Sequence, residues 1–130
     1  MSLPFVIDDV YGGLAEVRGI LRLEQQAIVL EFKLQDSLLN VLKTPVTSVT
    51  IPFDQIEQLV FRKGWFGFGA SLCLRAKSLK SLEGLPGSHD AELVIKVARK
   101  DRPLAHEIAS KVNYELSEYR LELLGHDKAK

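Results

Sequence analysis

The chain has 130 residues, and its basic and acidic side chains balance at 17 each, for a net charge of zero. That length suits one domain with a single core. The charge leaves none of the basic excess that nucleic-acid binding, or a general attraction to anionic membranes, draws on.

Residues 1–13 read as an irregular N-terminal segment, punctuated by Asp8-Asp9 and Gly12-Gly13. From Ala15 to Leu23 apolar residues alternate with Glu16, Arg18 and Arg22, the period of a half-buried strand. Glu24-Gln25-Gln26 is a polar turn, and Ala27 to Leu34 alternates again through Ile28, Leu30 and Phe32, so the two strands form a hairpin. A looser connection over 35–45 leads to a β-branched strand from Val46 to Ile51, which Pro52 stops. Strands follow over Ile56–Arg62, Ala70–Ala76 and Ala91–Ala98, with the longest loop at Lys77–Asp90. Pro103 then sits in the first turn of a helix, where its missing N–H costs nothing. Leu104, Ile108, Val112, Leu116, Tyr119 and Leu123 recur at three- and four-residue steps as one apolar stripe. Gly125 is read as the helix stop. The expected organisation is an irregular 1–13, one domain over 14–124 and a disordered tail over 125–130.

A run of six to seven antiparallel strands closed by one helix is an α+β, mainly β, pattern. The order Gly19-Ile20-Leu21-Arg22-Leu23, Ile51-Pro52-Phe53-Asp54-Gln55-Ile56, Lys63-Gly64-Trp65-Phe66-Gly67, then strand and helix, resembles a pleckstrin-homology-like (PH-like) domain, nearest the compact bacterial and GRAM-type members. The resemblance covers about residues 14–124. It implies a PH-like, partly open antiparallel barrel capped by one C-terminal helix, and a binding role toward lipid head groups, peptides or other protein domains. Lipid-binding members carry basic residues around the first hairpin turn, whereas this turn is Glu24-Gln25-Gln26-Ala27 with only Arg22 and Lys33 nearby. The eukaryotic type has a tryptophan in its last helix, where this chain has Tyr114 and Tyr119.

Catalytic chemistry finds no constellation. The single cysteine, Cys73, lies mid-strand with no histidine close in sequence, and reads as a packing residue. His89, His106 and His126 fall on a loop, a helix and the tail, with no His-x-His or Cys-x-x-Cys spacing for a metal. Gly64, Gly67 and Gly69 join strand to strand and so place no phosphate at a helix N-terminus. No catalytic residue, cofactor or metal is expected, and the chain is not expected to be an enzyme. One thiol excludes an internal disulfide, no apolar run approaches the roughly 20 residues of a membrane span, and no secretory signal is visible. The expected location is the cytoplasm, with the periphery of a membrane as the alternative.

The candidate interaction residues lie in two places. Arg62, Lys63, Trp65, Phe66 and Phe68 form an aromatic hairpin tip. Either its rings fold back to plug the end of the core, or they stand out for a protein partner or for shallow membrane insertion. On the helix, Tyr114 and Leu121 fall opposite the apolar stripe on one ridge. The expected function is a non-enzymatic protein-interaction module, with a second copy among the candidate partners. Peripheral membrane binding through the tip is the alternative. A small-ligand carrier or enzyme comes third, since the inward residues are nearly all aliphatic.

Overall fold

The computed structural model describes residues 1–10, 12–36, 45–64 and 69–128, without the side chains of Asp9, Asp36 and 125–128. The described residues form seven strands: β1 (Ser2–Val10), β2 (Ala15–Leu23), β3 (Ala27–Asp36), β4 (Thr47–Pro52), β5 (Ile56–Arg62), β6 (Ala70–Ala76) and β7 (Glu92–Val97). They make one antiparallel sheet in the order β4-β3-β2-β1-β7-β6-β5. One helix, α1 (Arg102–Lys128), ends the fold. The architecture is the expected mainly-β arrangement, an open sheet with a C-terminal helix. β4 and β5 follow each other in sequence through a 3₁₀ turn at Phe53–Gln55, yet they are the two ends of the sheet.

Period-two patterning decides which face is buried. Val17 lies opposite Leu34 and Leu21 opposite Leu30 in the β2–β3 ladder, so apolar side chains meet across it on one face. Gly19 is opposite Phe5 on β1 and Phe32 on β3. A Cβ there would stand 2.3 Å from the Glu31 carbonyl oxygen and 2.8 Å from the Phe32 Cβ, so the close approach of β3 requires glycine.

Two expectations are corrected. The segment 1–13 is not irregular: β1 is an inner strand, pairing with β2 from Ser2↔Arg22 to Val10↔Ala15 and touching β7 at Val6↔Lys96. Leu3, Phe5 and Ile7 are all buried, and that alternation outweighs Pro4, which faces outward. The acidic pair coincides with a shift in register between Ile7 and Val10, which the ladder absorbs as an irregularity. The helix also does not stop at Gly125 but runs to Lys128. A helical glycine costs about 1 kcal/mol relative to alanine, too little to force an end.

Ala105, Ile108, Ala109, Val112 and Leu116 bury one face of α1 against β5, β6 and the Phe53 turn. The stripe then outruns the sheet. Tyr119 and Leu123, which continue it, are 36% and 49% exposed. The distal turns of α1 therefore project past the core that anchors the proximal ones.

Candidate functional site

β5 carries the hairpin tip and is an edge of the sheet. Arg62 ends it and Lys63 follows, both exposed. Trp65, Phe66 and Phe68 lie outside the described residues, and so does the choice between plug and exposed tip. Phe61 is half-buried, its ring edge-on to His106 with centroids 5.5 Å apart. One turn-pair along α1, the Asn113 carboxamide completes the β5 edge as a neighbouring strand would. Its Nδ2 donates to the Leu59 carbonyl at 2.6 Å, and its Oδ1 accepts from the Leu59 N–H at 3.2 Å. Arg120 donates to the Glu57 carbonyl. His106, Asn113 and Arg120 are seven residues apart, so they share one ridge of α1 and meet alternate residues Phe61, Leu59 and Glu57 of the strand. That ridge seals an edge which would otherwise offer unpaired backbone groups.

The next ridge of α1 faces outward. Tyr114 is 63% exposed and Leu121 62% exposed, as the helical spacing predicts. Leu124, 56% exposed, joins them three residues on. It was absent from the expected set, although the same spacing reaches it. No family model, curated protein or solved structure matches this chain. What its surface can do rests on its own geometry, which joins the outward ridge to a groove on the opposite flank of α1. There Glu115, Glu118, Tyr119 and Glu122 face Pro52, Phe53 and Asp54. Of the described tip residues, Arg62 is not brought to the distal part of the ridge: Arg120 of α1 meets Glu57, at the opposite end of β5 from Arg62.

Cys73 is buried on β6, and its Sγ donates to the Glu92 carboxylate at 2.9 Å. Burial first, then the hydrogen bond to Glu92, push the thiol up to about 11, which leaves little thiolate at neutral pH. Glu92 is held below the usual carboxylate range by the Cys73 hydrogen bond and by Arg75, 3.1 Å away. The group is a structural bridge from β6 to β7. His89 sits 3.7 Å from Asp90 in an exposed turn, and His106 is engaged with Phe61. Among the described residues, no three His, Cys, Asp or Glu side chains converge closely enough to hold a metal ion.

Proposed function

We propose that this protein is a non-enzymatic, PH-like interaction module whose docking surface is the outward ridge of α1. The supporting observation is that α1 carries Tyr114, Leu121 and Leu124, all more than half exposed, on the side turned away from its buried face. Burying one such side chain contributes roughly 1.5–3 kcal/mol. Three together contribute about 4.5–9 kcal/mol, which covers only the lower part of the estimated cost of association, about 4–15 kcal/mol, so the ridge forms the centre of an interface that neighbouring surface completes. A second copy of the chain is one partner this surface suits, because two projecting helices can pair ridge to ridge.

The test is a photo-cross-linking benzophenone amino acid placed at Leu121, with Lys80 as an exposed control position, in the cells that make the protein. The expected result is a discrete protein adduct from position 121 and none from position 80. Absence of an adduct at 121, or identical adducts at both, would remove the proposal. Peripheral membrane binding remains the second reading, drawing on the exposed Arg62 and Lys63. Co-sedimentation with anionic vesicles, lost in Lys63→Glu, would favour it.

A further inference from the structure

We infer that the groove beside the projecting end of α1 docks a basic, partly apolar segment of the partner protein, an inference that rests on the interaction role proposed above. The groove encloses about 290 Å³ between α1 and the turn that follows β4. Pro52, Phe53 and Tyr119 give it apolar surface. Its polar walls are of one sign: Asp54 on the turn, and Glu115, Glu118 and Glu122 on the helix, with no cation among the lining residues.

Elsewhere on this surface several carboxylates are neutralised in place. Glu16 pairs with Arg18, Glu31 with Arg22, Glu92 with Arg75 and Asp8 with Lys96. None of the groove carboxylates forms an ion pair among the described residues, and Glu118 and Glu122 are four apart on the helix, where like charges repel. In a chain of zero net charge, this is a concentrated acidic wall beside apolar surface. The carboxylates are not gathered as a metal would require, since no three of them converge. They are spread along the groove, which suits several cations spaced along a chain. An adjoining groove of about 340 Å³ shares Phe53 and Glu115 and extends the channel toward Met1, Leu23, Glu24 and Lys111. An extended segment therefore has room along both. Its arginine or lysine stems would lie on Pro52 and Tyr119, with their charged ends among the carboxylates.

The probe is a fluorescein-labelled peptide of four Arg-Leu repeats, titrated with the full chain by fluorescence anisotropy, beside a Glu-Leu peptide of equal length. Saturable binding of the Arg-Leu peptide is expected, weakening with salt. It should be roughly tenfold weaker in Glu118→Gln/Glu122→Gln and nearly unchanged in Glu83→Gln/Glu107→Gln, which removes two exposed acids outside the groove. No saturable binding, equal weakening in the control pair, or equal binding of the Glu-Leu peptide overturns the inference. The two claims fail separately. If the adduct at position 121 persists in Glu118→Gln/Glu122→Gln and the peptide does not bind, the basic-segment inference falls alone. If the wild-type chain gives no adduct, the interaction role itself falls.

Discussion

Replacing Asn113 with alanine removes both hydrogen bonds that close the β5 edge at Leu59. Each intramolecular hydrogen bond is worth about 1 kcal/mol net, so the pair contributes about 2 kcal/mol. Alanine is the better helix former by about 0.6 kcal/mol, which leaves a net loss of roughly 1–1.5 kcal/mol. At about 2.1 cal/mol/K of unfolding entropy per residue, that lowers Tm by approximately 4–5 °C for a chain of this length. The local consequence is sharper. The Leu59 amide, turned toward α1, should exchange with deuterium several-fold to tenfold faster, while the β6 amides on the other side of β5 keep their protection. Asn113→Asp separates the two bonds. Its carboxylate still accepts from the Leu59 N–H, but it opposes the Leu59 carbonyl where an N–H used to donate. Its folded-state pKa is therefore raised, so stability is fully present below the unfolded carboxylate value of about 3.9 and is lost as pH rises through the folded one. Chemical denaturation read with residue-resolved exchange checks both variants. Wild-type Tm together with unchanged Leu59 exchange in Asn113→Ala would refute the view that this side chain acts as a substitute strand.

Gly19→Ala should destabilise by at least about 2–3 kcal/mol or prevent folding, because the new Cβ meets backbone that cannot move aside; a wild-type denaturation midpoint would contradict this. Ala91 and Asp90 both adopt left-handed backbone, φ 62° and 53°, in the two-residue turn closed by the His89–Glu92 pair. Ala91→Gly should accordingly stabilise by about 0.5–1 kcal/mol, read as a rise in midpoint, and a fall would mean that the Ala91 methyl's packing matters more than its strain. Cys73, its thiol pushed up to about 11, should alkylate with iodoacetamide at pH 8 about a hundredfold more slowly than an open thiol. Labelling at the free-cysteine rate would contradict the burial of the thiol and its bridge to Glu92.

Strands β2 to β7 were legible because each is a short run with period-two alternation bounded by turn residues, a local property. β1 carries the same alternation in Leu3, Phe5 and Ile7, but proline and paired aspartates pull a local reading the other way; only its burial between β2 and β7 settles it. The helix was legible to its apolar stripe and not to its end, since Gly125 carries only a modest propensity cost. At the candidate surface, exposure of Tyr114 and Leu121 follows from helical geometry alone. Asn113 gave no comparable signal. A polar residue beside an apolar stripe looks solvated until the strand it faces is known, and β5 lies more than fifty residues away. The acidic groove escaped for the same reason, as Asp54 and Glu115 meet only in the folded chain.

The central claim is that the outward ridge of α1, Tyr114, Leu121 and Leu124, is kept for recognition and contributes nothing to the core. The most direct measurement is the unfolding free energy of Tyr114→Ala/Leu121→Ala/Leu124→Ala beside that of Leu116→Ala, a buried residue one turn away. The triple variant should stay within about 0.5 kcal/mol of wild type, and Leu116→Ala should lose about 2–5 kcal/mol. A triple variant that falls as far as Leu116→Ala would place those three side chains in the fold and contradict the account.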